Sequence, residues 1–282
     1  MPSNPPLDDN GNGLDFWDER RGRIRSRKGG WVIGEAVHSH GYSIMEDLVG
    51  RRSFSQVLVL NVTGRLPERR LADWYDAVLV CLSWPDARIW CNQVASLGGS
   101  LRVSPVAAVA AGLLASDSRM YGPGTALAAC SFITAALRQY QEGATVETII
   151  RGQQPRPSLP PVIVGYGRPV ASGDERVAAL LQYAERLGFA VGDHLGLALA
   201  IEKSLLEHFG ESMNLTGYYV AFLCDQGLSA DEIYRLSSIL VNAGVHACYA
   251  EAADQPPESF LPMRCADFDY QGQGPRPVPE RG

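Results

Sequence analysis

From Val103 to Ala115 the chain reads Val-Ser-Pro-Val-Ala-Ala-Val-Ala-Ala-Gly-Leu-Leu-Ala, apolar nearly all round and built from small residues. A helix without a polar face has to be covered on every side, and small side chains let a neighbouring helix approach closely. Such a segment belongs at the centre of a helical bundle or in a subunit interface. The surrounding sequence is helical too. Phe54, Val57, Leu58 and Leu60 recur at helical spacing between an N-cap at Ser53 and a stop at Gly64. Leu71 to Trp84 puts Leu71, Trp74, Tyr75, Val78, Leu79 and Leu82 on one stripe, the pattern of an amphipathic helix. Leu127 to Tyr140 follows a Gly122-Pro123-Gly124 turn, and helices are predicted over about 175–189, 194–209, 213–225 and 229–250. The last opens with Ser229, Asp231 and Glu232, which suit a helix N-terminus. Only Trp31 to Val37 has the character of a strand, and Ser43 to Val49 is predicted as a short helix. The fold class is all-α.

Breaks in the helical pattern suggest the domains. Residues 1–30 are polar and rich in Gly and Pro, and residues 253–282 carry Pro256, Pro257, Pro262, Pro275, Pro277 and Pro279, so both ends are expected to run as extended arms. Residues 151–174 are a proline- and glycine-rich crossing. The expected division is a large helical domain of residues 31–174 and 226–252 with a small one of residues 175–225.

Composition narrows the partners. A net charge of −6 offers no general attraction for nucleic acid or anionic lipid. The basic run Arg20, Arg21, Arg23, Arg25, Arg27 and Lys28 follows Asp8, Asp9, Asp15, Asp18 and Glu19, and reads as a solvated, self-neutralising arm. No secretory pattern opens the chain and no stretch of about 18 apolar residues is present, so a soluble protein of the cytoplasm is expected, with no membrane partner. Six cysteines without a CxxC pair fit reduced thiols, and no His pair at metal-ligand spacing is found, so no metal is expected.

Five ordered segments carry a family likeness. His40-Gly41-Tyr42-Ser43-Ile44-Met45-Glu46-Asp47-Leu48, Ser53-Phe54-Ser55-Gln56-Val57 and Gly64-Arg65-Leu66-Pro67 stand in that order near the start. Gly165-Tyr166-Gly167-Arg168-Pro169-Val170, with Gly173-Asp174-Glu175-Arg176 after it, and Asn214-Leu215-Thr216-Gly217-Tyr218 follow. Val94-Ala95-Ser96, Ala110-Ala111-Gly112 and Tyr121-Gly122-Pro123 fall between them. Together they resemble the citrate synthase and citryl-CoA lyase superfamily over about residues 30–250. The resemblance implies an all-α fold whose large and small domains close over a cleft, a homodimer packed through the small-residue helices, and a site for a coenzyme A thioester and a carboxylate. It also implies carbon–carbon bond formation or cleavage, in which a carboxylate base enolises an acyl group and hydrogen-bond donors stabilise the enolate oxygen.

The residues expected to carry that chemistry are replaced. Thr216 stands where the family has a catalytic aspartate, Arg168 where it has a histidine after Gly-Phe-Gly, and Thr125 where its synthases have a histidine after Gly-Pro. Cys91, beside Asn92, aligns with a further family histidine. Arg176 matches the arginine of Asp-Pro-Arg that holds a substrate carboxylate, and His40 and Asn214 join it as expected substrate-binding residues. Other readings stay open. Arg176 either holds a carboxylate or pairs with Asp174 or Glu175; Cys91 is a nucleophile or a buried inert thiol; Asn92 donates to an oxyanion or caps a helix.

Three functions compete. The first is an enzyme that makes or breaks a carbon–carbon bond between an acyl-CoA and a carboxylated partner, with a non-standard site and without ordinary citrate synthase activity. The others are a non-catalytic acyl-CoA- or carboxylate-binding or partner protein, and a biosynthetic decarboxylase or cyclising enzyme on the same fold.

Overall fold

Gly29–Val32 (β1) and Ala36–Ser39 (β2) form an antiparallel hairpin with Trp31 opposite Val37, and Tyr42–Ser43 (β3) adds to β2. The structure, a computed structural model, describes residues 17–18, 21–22, 24–156, 159–168 and 173–279. The span Trp31 to Val37, expected as one strand, thus folds back on itself, because Gly34 takes the left-handed φ of 83° that a tight turn needs. Ser43 then caps a π-helical turn, Ile44–Leu48, by accepting from the Glu46 N–H at 3.2 Å. Helix α1, Phe54–Thr63, starts at a capping box made by Ser53 and Gln56 and stops at Gly64 in the left-handed region, as its sequence predicts. The expected arm of residues 1–30 lies largely outside the described residues.

Contacts divide the chain into two units, Met1–Ala72 and Asp73–Gly282. Helix α2, Arg69–Leu82, begins at the end of the first and runs into the second. The rest of the second unit is α3 (Trp90–Ser100), α4 (Pro105–Ser116), α5 (Gly124–Gln141), α6 (Val146–Arg151), α7 (Glu175–Arg186), α8 (Asp193–Phe209), α9 (Leu215–Asp225), α10 (Ala230–Ser237) and α11 (Asn242–Asp254). The fold class is all-α, as expected.

The helix at the centre is α9. Leu215 and every residue from Tyr218 to Leu223 are buried, with α5 and α8 packed against them. Trp74 of α2 stacks on Phe222 at 3.9 Å between ring centroids, and its Nε1 donates to the Tyr218 hydroxyl at 3.1 Å. Tyr218 in turn donates to the Leu180 carbonyl of α7 at 3.1 Å, so both polar tips of this aromatic cluster are satisfied.

The small-residue segment behaves differently from its sequence expectation. It forms α4, whose Ala108, Val109 and Gly112 are buried against α3 and α11 while Val106 and Leu114 are 81% and 78% exposed. Within one chain it is covered on one side only. Periodicity reports that a face must be covered but not which chain covers it. The predicted helix 229–250 is also split, between Ser237 and Asn242. The Ser237 and Ser238 hydroxyls each donate to a carbonyl of the preceding turn at 2.8 Å, a local bond that competes with helix continuation.

Among the described residues after α11 the one regular element is a 3₁₀ turn at Cys265–Asp267, and Arg102 ties the start of this segment by donating to the Ala253 and Gln255 carbonyls. No helix among the described residues is long and apolar enough to cross a membrane.

Candidate functional site

Gly165, Tyr166 and Gly167, in the crossing between the halves of the chain, lie against the N-terminus of α9. The Asn214 N–H donates to the Gly165 carbonyl at 2.9 Å and the Gly167 N–H donates to the Ser212 carbonyl at 2.8 Å. Asn214 caps α9: its Oδ1 accepts from the Thr216 and Gly217 N–H groups, and its Nδ2 donates to the Gly167 carbonyl at 2.9 Å. Two glycines permit the approach. A Cβ on Gly217 would sit 2.3 Å from the Gly165 carbonyl oxygen, and Gly165 itself has a φ of 102°. The glycine-rich pattern thus fixes where Arg168 leaves the backbone. The next residues of the sequence motif, Pro169 and Val170, lie outside the described residues.

Arg168 and Arg176 come together on one aromatic ring. Their guanidinium carbons lie 6.0 and 5.7 Å from the centroid of Trp84, within cation–π range. Arg176 makes a bidentate pair with Asp174, Nε and Nη2 each 2.7 Å from one carboxylate oxygen. Asp174 has no exposed side-chain surface and also accepts from the Leu215 N–H at 2.9 Å, which joins the start of α7 to the start of α9. Burial pushes its pKa up, but the Arg176 guanidinium and the backbone donors outweigh burial and hold the carboxyl below its ordinary value. Arg168 donates from Nη1 to Glu175 at 2.7 Å, and Asp174 is 3.9 Å from the same nitrogen. Glu175 remains 66% exposed, whereas the two arginine side chains are 15% and 18% exposed. Two positive and two negative charges therefore share a half-enclosed site, with one carboxylate fixed and the other on the rim.

The other sequence candidates take places around this cluster or in the packing. Asn92 is buried and donates from Nδ2 to the Trp84 and Asp86 carbonyls at 3.2 and 2.9 Å, so it pins the loop that presents Trp84. Cys91 packs with Ala95, Val109 and Val245, and burial pushes its thiol pKa up, away from the thiolate a nucleophile needs. Thr125 donates its hydroxyl to the Gly122 carbonyl at 2.7 Å in the first turn of α5. Thr216 is half-buried in the first turn of α9, its N–H held by Asn214. His40 belongs to the first unit, at a φ of 50° and with its Nε2 buried and without a hydrogen-bond partner. Among the described residues no group of three or more His, Cys, Asp or Glu side chains is arranged to hold a metal ion.

Trp84 is the residue that sequence reasoning missed. Its position after the amphipathic stripe made it look like the last residue of a helix, and the helix in fact ends at Leu82. The Pro85-Asp86 pair that follows was the available signal for a turn that exposes the indole.

No protein-family model matches the sequence, and no curated protein matches it. Solved structures do. A citryl-CoA lyase from Hydrogenobacter thermophilus superposes with a TM-score of 0.77 at 25% identity, over 91% of this chain and 98% of that one. An ATP citrate lyase from Methanothrix soehngenii, in complex with citrate and coenzyme A, gives 0.72 at 18% identity over 97% of this chain and 46% of that one. A citrate synthase from Thermoplasma acidophilum, in a ternary complex with carboxymethyl coenzyme A and oxaloacetate, gives 0.62 at 17% identity over 80% and 59%. The chain therefore spans about half the length of the latter two.

Proposed function

Since this chain belongs to the citrate synthase and citryl-CoA lyase superfamily, we propose that it makes or breaks a carbon–carbon bond between an acyl-CoA and a carboxylated partner. The observation that carries this reading is the pair of guanidinium groups, Arg168 and Arg176, side by side on the Trp84 ring. Arg168 is the ligand-facing member. Its partner Glu175 stands on the solvent side, where a ligand carboxylate would take its place, while Arg176 is anchored to Asp174 through Nε and Nη2. The neighbours whose structures contain citrate or oxaloacetate together with coenzyme A or a derivative of it support the choice of a carboxylate and a CoA thioester as the two ligands.

In this reading Thr216 supplies a hydroxyl at the start of α9, Asn214 orients that turn, and Asn92 acts through the Trp84 loop. Cys91 and Thr125 serve packing and the start of a helix. No free carboxylate base stands at the Thr216 position, and Asp174 is spent on Arg176. That same observation favours a second reading, a protein that binds these ligands without turning them over. His40 is assigned to the substrate side by the resemblance alone.

Arg168→Ala tests the assignment. A charge-assisted hydrogen bond contributes about 1.5–3 kcal/mol, so the variant is expected to bind a tricarboxylate roughly tenfold to a hundredfold more weakly by calorimetry. Lysine at 168 restores only part of this, because it keeps the charge and loses the planar fork. Unchanged affinity, with a lowered melting temperature, would assign Arg168 to an ion pair with Glu175 and nothing more.

We also propose that the protein is a homodimer joined through α4. Val106 and Leu114 are exposed on a helix that carries no charged residue from Pro105 to Ser116, and a second copy provides the cover that one chain lacks. Sedimentation at micromolar concentration is expected to give the mass of two chains. Val106→Glu together with Leu114→Glu is expected to give the mass of one. A wild-type monomer would refute the assignment.

A further inference from the structure

Helices α5 and α9 bring two thiols together away from the arginine site. The Cys130 and Cys224 sulfurs are 3.5 Å apart, although 94 positions separate the residues in sequence. They lie in the wall of a cavity of about 680 Å³ that is also lined by Thr134, Arg138 and His194. No part of the function proposed above uses this cavity. We propose that Cys130 and Cys224 form a redox-active dithiol, oxidised by small hydroperoxides to a disulfide that staples α5 to α9.

The surroundings favour Cys130 as the attacking sulfur. With Cys224 as donor, the thiol–thiol hydrogen bond lowers the Cys130 pKa more than burial raises it, and the Thr134 hydroxyl adds to the lowering. The same interaction, with burial, pushes Cys224 up and keeps it a thiol. Arg138 also lines the cavity. His194, also in the wall, is held by Asp225, the residue after Cys224, at 2.9 Å between Nδ1 and Oδ1. Cys224 stands in the last turn of α9 before a Gly227 turn, so its side chain approaches its partner with little movement of regular helix.

The step balances with the hydroperoxide as the oxidant. The Cys130 thiolate attacks one peroxide oxygen, the S–O bond forms as the O–O bond breaks, and the departing hydroxide (alkoxide from an organic hydroperoxide) takes a proton and leaves as water (or the alcohol). The Cys224 sulfur then attacks the sulfenic sulfur, the S–S bond forms as the S–O bond breaks, and the leaving hydroxide carries off the Cys224 proton as a second water. Two electrons pass from the sulfurs to the peroxide. A thiol reductant reverses the product.

The test uses the full chain, reduced, treated with hydrogen peroxide, blocked with an alkylating reagent and mapped by mass spectrometry without reduction. The expected result is a linked pair of peptides carrying Cys130 and Cys224, formed while the exposed Cys265 is still alkylated as a free thiol. Cys224→Ser is expected to stop at a Cys130 sulfenic acid that a dione reagent captures. Cys130→Ser is expected to slow the loss of the Cys224 thiol by about tenfold or more. Should either variant fail to fold, the wild-type map decides. Alkylation of both residues after Cys265 has been oxidised, or Cys130 running on to the sulfinic acid with Cys224 unchanged, overturns the proposal.

Discussion

Mixed with acetyl-CoA and oxaloacetate, this protein is expected to release CoA far below the pace of about 10 per second typical of enzymes. Loss of one general base usually costs on the order of 10²–10⁴ in rate, and here the aspartate position holds Thr216 while the histidine positions hold Arg168, Thr125 and Cys91. The structure adds a reason beyond substitution. Asp174, the buried carboxylate nearest the arginines, is held below its ordinary pKa and engaged by Arg176 and the Leu215 N–H, which makes it a poor proton acceptor. A spectrophotometric assay of free thiol measures the rate directly. Turnover near the ordinary enzyme rate would mean that another group supplies the base and that the residue matching is displaced.

Asp174→Ala is expected to be among the most destabilising single changes in the second unit, by about 3–5 kcal/mol in denaturant unfolding. The carboxylate accepts from Arg176 through Nε, Nη2 and the backbone N–H, and from Leu215, so its removal leaves a guanidinium partly buried without its counter-charge and uncaps α7. Removing Arg176 as well, by a methionine of similar length, is expected to recover part of the loss, since the uncompensated charge goes with it. The pH dependence has a definite sign. Because the folded pKa is depressed, this contribution is fully present above the unfolded value of about 3.9 and is lost as pH falls through the lower folded value. The gap between wild type and Asp174→Ala therefore narrows in acid below about pH 4. A gap that stayed under about 1 kcal/mol at neutral pH, the level of an exposed pair, would show that the Asp174 pair does not hold the two helix starts together.

Local chemistry made much of this legible before the structure. The Ser53 and Ser229 caps, the Gly64 stop and the amphipathic stripe from Leu71 to Leu82 each follow from interactions within a few residues, and each appears where the pattern puts it. Arg168 and Arg176 were singled out by the family resemblance, and the structure brings both to the Trp84 ring. What could not be read depends on distant partners. Trp84 becomes a site residue only through Arg168 and Arg176, and Cys130 meets Cys224 only because α5 packs on α9. Helix α9 was predicted over about 213–225, but its place at the centre was not, because Trp74 and Ser237, the partners of Tyr218 and Tyr219, come from other helices. For α4 the apolar pattern marked a helix that needs cover, and within one chain its Val106 and Leu114 remain exposed.

The claim that this chain handles an acyl-CoA together with a carboxylate is tested most directly by native mass spectrometry. The protein, purified without added ligand, is presented with a panel of CoA thioesters and with tricarboxylates such as citrate. The account predicts a retained CoA thioester and a tricarboxylate adduct that weakens in Arg168→Ala. No bound CoA thioester at millimolar concentration would contradict it.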